Sequence, residues 1–224
     1  MATEIEQKQI EMVEEQLAGR GIRDKDVLRA MAEVPRQYFV HPQFMGFAYE
    51  DTPLPIQSGQ TISQPYIVAR MAELLELKAT DKVLDVGTGS GYAAAVMSRI
   101  VAKVYTIERH KQLAHQAAKT LAALKYDNVL VRQGDGTLGW PEHAPYDAIM
   151  VAAGGPEVPP ALLSQLAING CLIIPIGEQP QVQKLKRIRR LSETKFEHQD
   201  LGGVRFVPLI GAGGWHAEEV EERP

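Results

Sequence analysis

The chain has a single cysteine, Cys171, so no internal disulfide can staple it and the fold has to rest on a buried core. It also lacks an excess of charge of either sign. The 24 Lys and Arg stand against 28 Asp and Glu, and the balance of -4 offers no global attraction to nucleic acid or to an anionic membrane. Apolar runs are only a few residues long, far from the ~20 that a membrane helix needs. The stretch Met1 to Val13 has neither a basic start nor an apolar core, so it does not read as a secretory signal. The six histidines show no metal-ligand spacing, and no metal is expected. Together these absences lead to the expectation of a cytoplasmic monomer with no nucleic-acid or membrane partner.

What remains is an ordinary globular composition, 45% hydrophobic and 23% charged over 224 residues, enough for one doubly wound domain and a modest extension. Ile10, Val13, Leu17 and then Val27, Leu28, Met31 recur at helical spacing, with Gly19 and Gly21 breaking one helix from the next. From His41 to Ser63, prolines and polar residues predict a long irregular stretch. Its Phe44, Phe47, Tyr49, Leu54 and Ile56 predict that it packs on the domain and carries a site. Ser63 then opens a helix running to Leu77, with Pro65 in its first turn.

Beyond that point strands and helices alternate. Strands are predicted at 83–86, 104–107, 129–131, 148–152 and 172–175, with helices at 92–101, 111–124 and 160–167. This alternation predicts an α/β fold with a doubly wound, mostly parallel sheet. The strand-like runs from Val182 to Ile210 have no helix between them and predict antiparallel additions at the sheet edge. The basic run Lys184, Lys186, Arg187, Arg189, Arg190 reads as a solvated edge that discourages strand pairing, with a weak attraction for acidic substrate as the alternative. Three segments are expected: N-terminal helices and an active-site loop over 1–78, a ligand-binding core over 79–214, and a flexible acidic tail over 215–224.

The chemistry concentrates at Asp85-Val86-Gly87-Thr88-Gly89-Ser90-Gly91, where an apolar strand runs through three alternate glycines into a helix. Such a turn lets a nucleotide approach the backbone closely. A dinucleotide fingerprint wants its third glycine one residue later, where Tyr92 stands. Asp85 at the strand end would repel a pyrophosphate and attract the ammonium and sulfonium of S-adenosylmethionine. Glu108 ends the next strand, where a carboxylate can take both ribose hydroxyls, a feature that suits NAD equally. Gly134-Asp135-Gly136 follows the third strand. Each acid also has a plain reading: Asp85 as a helix cap, Glu108 as a solvated loop acid, Asp135 as a turn former. Three acids at three successive strand ends beside one glycine turn favour the joint ligand reading. The small residues Ala152 and Ala153 close the fourth strand and suit a peptide backbone laid across them, or simple close packing.

Gln60-Thr61-Ile62-Ser63-Gln64-Pro65, Leu84 to Gly91, Tyr105-Thr106-Ile107-Glu108, Gly134-Asp135-Gly136, Tyr146-Asp147-Ala148-Ile149 and Val204-Arg205-Phe206-Val207-Pro208-Leu209 resemble, in order from about Met12 to Gly211, the protein-L-isoaspartate O-methyltransferases. The glycine-rich Ala153-Gly154-Gly155 departs from what that family carries after this strand. The resemblance implies a Rossmann-like methyltransferase fold. It implies methyl transfer from S-adenosylmethionine to the α-carboxylate of L-isoaspartyl residues in damaged proteins, followed by collapse of the ester to a succinimide. It further implies Ser63 as the active-site residue. The cofactor would be held by Thr61, Ile62, Ser63, Asp85, Gly87, Gly89, Gly91, Glu108, Asp135 (on the adenine amino group) and Gly136, and the substrate by Gln60, Ala152, Ala153 and Val207. Read from sequence alone, Ser63 is equally a helix N-cap. Alternatives are a methyltransferase acting on a small-molecule carboxylate or hydroxyl, an NAD-dependent oxidoreductase, and a non-catalytic S-adenosylmethionine sensor.

Overall fold

The structure is a computed structural model and describes residues 4–218. Its N-terminal part is helical, as the apolar spacing predicts. α1 (Glu4–Glu11) runs on into a wider π-helical stretch, Met12–Leu17, which buries Met12 and Leu17. Gly21, at φ 102°, closes the turn that follows; only glycine adopts that left-handed conformation without strain. α2 (Lys25–Glu33) is capped by the Asp24 carboxylate, which accepts the amides of Asp26 and Val27 at 2.9 and 3.0 Å. The irregular stretch after it holds a 3-10 turn at Pro42–Phe47 and a short ribbon, β1 (Leu54–Pro55) antiparallel to β2 (Thr61–Ile62). Ala48, Tyr49, Leu54 and Ile62 are buried, so this stretch packs on the domain as predicted. α3 (Pro65–Leu74) follows, somewhat shorter than its sequence pattern suggested.

The core then runs β3 (Lys82–Val86), α4 (Tyr92–Ser98), β4 (Lys103–Glu108), α5 (Lys111–Ala123), β5 (Val129–Gln133), β6 (Tyr146–Val151), α6 (Pro160–Gln165) and β7 (Leu166–Gln179). β8 (Val182–Arg190) and β9 (Phe196–Val204) complete a seven-stranded sheet of order β5-β4-β3-β6-β7-β8-β9. The first five strands in that order pair in parallel, and β7–β8 and β8–β9 pair antiparallel. Burial on both faces explains why β3 reads as an unbroken apolar run interrupted only by Asp85. One face carries a core of Val83, Val104, Met97 and the N-terminal residues Met12, Leu17 and Met31; the other carries Leu84, Ile107, Ile149 and Leu172. The N-terminal helices therefore share a core with one face of the sheet. Arg36 fastens them there: fully buried, it donates Nε to the Ala48 carbonyl at 2.8 Å and sets its guanidinium 4.7 Å from the centre of the Tyr92 ring. The chain winds outward from β3 to β5 and then returns to β6 on the other side of β3. That reversal opens a crevice at the strands' carboxyl ends.

Two expectations are corrected. β8 is an interior strand, and its cations are paired across the surface: Lys184 and Lys186 with Asp200, Arg187 and Arg189 with Glu76. Trp215, placed by sequence at the head of a flexible tail, is buried, and its indole donates to the Gly154 carbonyl at 3.0 Å. Residues 219–224 of that tail lie outside the described residues. No described helix is long and apolar enough to cross a membrane. Trp215→Ala should cost about 3 kcal/mol, through a lost buried aromatic and one lost hydrogen bond to the Gly154 carbonyl. Guanidinium unfolding would read this as a lower midpoint at unchanged slope; an unmoved midpoint would return Trp215 to the tail.

Candidate active site

The glycine turn between β3 and α4 is built by backbone bonds that point inward. The Gly87 and Thr88 amides donate to the Ile107 carbonyl at 2.9 and 3.2 Å, and Gly91 donates to Thr88 at 2.8 Å. Tyr92 donates to the Ser90 hydroxyl. The Gly89 amide goes to Glu108 Oε2 at 2.9 Å, while Glu108 Oε1 accepts the His110 amide at the same distance. Gly87, Gly89 and Gly91 take φ of 96°, 54° and 90°, which explains the three glycines. A Cβ at Gly91 would press on Leu121 and Ala117 of α5, so that glycine serves close helix packing behind the turn. A pyrophosphate needs free amides at such a turn. Here the amides of Gly87, Thr88, Gly89 and Gly91 are already taken, and a carboxylate stands among them.

The turn lines a cleft that opens to solvent and spans about 810 Å³, open solvent included. Gln60, Thr61, Ile62, Ser63, Gly87, Gly89, Glu108, Gly136, Ala152, Ala153 and Val207 all line it, so eleven of the fourteen residues predicted for the site meet in one place. Asp85, Gly91 and Asp135 do not. The pleat accounts for Asp85. Its side chain shares a sheet face with Val83 and with its register partner Thr106, beneath α4, and is fully buried. Oδ2 accepts from the Thr106 hydroxyl at 2.7 Å, Thr106 lies 2.6 Å from the Thr88 hydroxyl, and Oδ1 has no hydrogen-bond partner. Burial pushes the Asp85 carboxyl up to about 7 against the pull of the Thr106 bond, and the nearby Glu108 charge adds to the rise. Asp135 acts as its plain reading had it. Oδ1 accepts the Thr137 amide and hydroxyl at 2.9 and 2.7 Å, and Oδ2 takes the Ala212 amide at 2.8 Å. It ties the loop after β5 to the C-terminal segment.

Ser63 is brought to the cleft by the β1–β2 ribbon, whose register pairs Leu54 with Ile62 and Pro55 with Thr61. It does not cap α3. Gln64 occupies the cap position without a side-chain bond, and Asp51 caps from a distance: Oδ1 accepts the Tyr66 amide at 3.0 Å and Oδ2 accepts Gln64 Nε2 at 2.6 Å. Arg20 closes an ion pair on the same carboxylate and lies 3.9 Å over the Tyr66 ring. Sequence reading missed Asp51, because a cap fifteen residues away leaves no local signal. His110 lines the cleft and keeps Nε2 shielded from solvent.

On its far side Ser63 faces a second, open groove. Arg20, Pro53, Tyr66 and Ile67 form one wall, and Pro180, Gln181 and the segment from Gly203 to Pro208 form the other. Thr61, Ser63, Ala152, Val207 and Pro208 belong to both cleft and groove. The two spaces meet at these five residues, Ser63 among them.

The family model for protein-L-isoaspartate(D-aspartate) O-methyltransferase matches residues 7–214. A protein-L-isoaspartate O-methyltransferase of Pelobacter propionicus is 60% identical over 204 residues, covering 91% of this chain and 91% of the relative. One from Geotalea uraniireducens is 59% identical, covering 91% and 93%. Among solved structures, a protein-L-isoaspartate O-methyltransferase superposes with a TM-score of 0.83 at 29% identity, covering 92% of this chain and 67% of the other. A Plasmodium falciparum protein assigned to the same activity and solved with S-adenosyl-L-homocysteine gives 0.76 at 29%, covering 93% and 99%.

Asp85 generates a prediction of definite sign. Its folded pKa lies above the ordinary carboxylate value of ~3.9, so protonation stabilises the fold. That contribution is fully present below pH ~4 and is lost as pH rises through about 7. Asp85→Asn keeps a neutral group there. The stability difference between variant and wild type should therefore shift in the variant's favour from pH 5 to pH 8 in urea unfolding. Parallel pH profiles would overturn the buried-carboxyl assignment.

Proposed function

The chain belongs to the protein-L-isoaspartate(D-aspartate) O-methyltransferase family, and from that premise we propose how its residues carry out the reaction. It is an S-adenosylmethionine-dependent protein-L-isoaspartate O-methyltransferase, a repair enzyme that esterifies the α-carboxylate of L-isoaspartyl residues in damaged proteins and peptides. It acts on protein substrates as a cytoplasmic monomer; its charge of -4 supports the part of this reading that leaves out nucleic acid.

S-adenosylmethionine supplies a methyl group already activated by the sulfonium charge. The residues fit such a donor: the turn's amides are spent, Glu108 puts a carboxylate in the cleft, and the glycines open its floor. Thr61, Ile62, Gly87, Gly89, Glu108 and Gly136 hold it directly. Asp85, Gly91 and Asp135 support the turn, the helix behind it and the neighbouring loop.

The acceptor α-carboxylate has an ordinary pKa of ~3.5 and is ionised at neutral pH, so no general base is needed. What the protein has to supply is alignment and the exclusion of water. Ser63 does this by donating its hydroxyl to one carboxylate oxygen, leaving the other free to attack. Ala152 and Ala153 present no side-chain acceptor that an anionic substrate would have to displace, and Gln60 and Val207 border the peptide. The observation that most supports this reading is the position of Ser63 in the lining shared by the cleft and the neighbouring groove.

Base-labile methyl incorporation into matched isoaspartyl and aspartyl peptides tests the function. Only the isoaspartyl form should be labelled, and labelling of neither would remove the repair reading. Ser63→Ala should lower turnover roughly 10- to 1000-fold, on the scale of losing one oriented donor, while calorimetry finds affinity for S-adenosylhomocysteine little changed. Wild-type turnover in that variant would strip Ser63 of its role.

A further inference from the structure

We infer that Gln183 is a positioning residue for the peptide substrate, holding the groove wall from Arg205 to Val207 in its receptive shape. The inference rests on the reading that this groove receives the isoaspartyl peptide.

Gln183 lies near the start of β8 with its side chain buried. Oε1 accepts the Phe206 amide at 2.7 Å, and Nε2 donates to the Phe206 carbonyl at 3.0 Å and to the Pro180 carbonyl at 2.6 Å. Strand β9 ends at Val204, which pairs in register with Gln183 itself. Past that point the chain leaves the sheet, and the amide and carbonyl of Phe206 would lose their strand partners. Backbone groups buried without partners are costly. The primary amide of Gln183 presents one donor edge and one acceptor to Phe206, as the backbone of an adjoining strand would. Its second N–H ties in the turn between β7 and β8. One side chain thus joins two parts of the same wall, Pro180–Gln181 and Gly203–Pro208.

The neighbouring backbone completes the clamp. The Gly154 amide donates to the Val207 carbonyl at 2.8 Å, and the Gly154 carbonyl accepts from Leu209 at 2.8 Å. A Cβ at Gly154 would run into the Gln183 amide. Gly154 therefore leaves the room that the Gln183 amide fills, and with both in place Phe206 and Val207 have fixed peptide planes. Arg205 and Val207 then line the groove beside Ser63.

The test uses the full chain with Gln183→Met, which keeps volume and removes both donor and acceptor, and Gly154→Ala, which displaces the amide while leaving Gln183 itself in place. For each, the KM for an isoaspartyl peptide should rise by about tenfold or more, the scale of losing two buried hydrogen bonds. The kcat at saturating peptide and the Kd for S-adenosylhomocysteine should stay within about threefold. Hydrogen exchange at the Phe206 amide should accelerate in Gln183→Met, a readout that stands whether or not the peptide is a substrate. An unchanged Phe206 exchange rate would overturn the clamp. So would a peptide KM that stays put, or one that moves only in step with the S-adenosylhomocysteine Kd. Wild-type failure to methylate the isoaspartyl peptide would count against the repair reading alone, with the exchange result still deciding on Gln183.

Discussion

The bond from the Gly89 amide to the Glu108 carboxylate decides what the crevice can hold. In an open α/β sheet the first strand-to-helix turn is a natural anion site, because its amides and the helix behind it point at the ligand. Here Ile107 and Glu108, both from the end of the neighbouring strand, take those amides. The turn becomes a rigid floor with an acidic wall. The three glycines with positive φ, the register of β3 against β4 and the packing of α5 behind Gly91 all serve that arrangement. A cationic methyl donor is favoured over a dinucleotide by hydrogen-bond occupancy as well as by the sign of the charge.

This also changes which acid matters. Asp85, Glu108 and Asp135 all lie near the carboxyl ends of strands, yet only Glu108 faces the cleft. Asp85 sits one residue before the end of β3, and the alternation of a pleated strand turns it onto the covered face beside Thr106. Sequence distance to the glycine turn is the same whichever face is taken, so the carboxylate was legible and its burial was not. Asp135 is similar: its glycine-flanked position marks a turn, but its partner Ala212 lies far along the chain.

The legible parts share a physical cause. β3, β4 and β6 read as apolar runs because both faces are covered, and α5 showed its face through Leu113, Ala117 and Leu121. These signals are local. The cap of α3 by Asp51, the pairing of Lys184 and Lys186 with Asp200, and the anchoring of Trp215 on Gly154 are each made by residues distant in sequence. The basic run was visible while its counter-charges were not, and β8 was therefore mistaken for an edge. Motif resemblance placed Gln60 to Ser63 and Val207 at the site, where periodicity alone would have left them as loop residues.

The distant contacts suit the proposed site, which needs no general base. The acceptor carboxylate is already charged and the methyl already activated, so substrate capture and alignment depend on how closely loops are held in place. Three segments around the cleft and groove leave regular secondary structure. Each is fixed by one polar side chain from elsewhere: Asp51 on the start of α3, Asp135 between the loop after β5 and Ala212, and Gln183 on Phe206. All three bonds run from a side chain to a backbone amide. Hydrophobic contact alone would hold such segments to within a rotamer or two, whereas a directed bond to the main chain also fixes the orientation of the peptide plane. Precision at Ser63 is in this sense assembled by residues that never touch the substrate, which is why it is a property of the tertiary structure and not of any one motif.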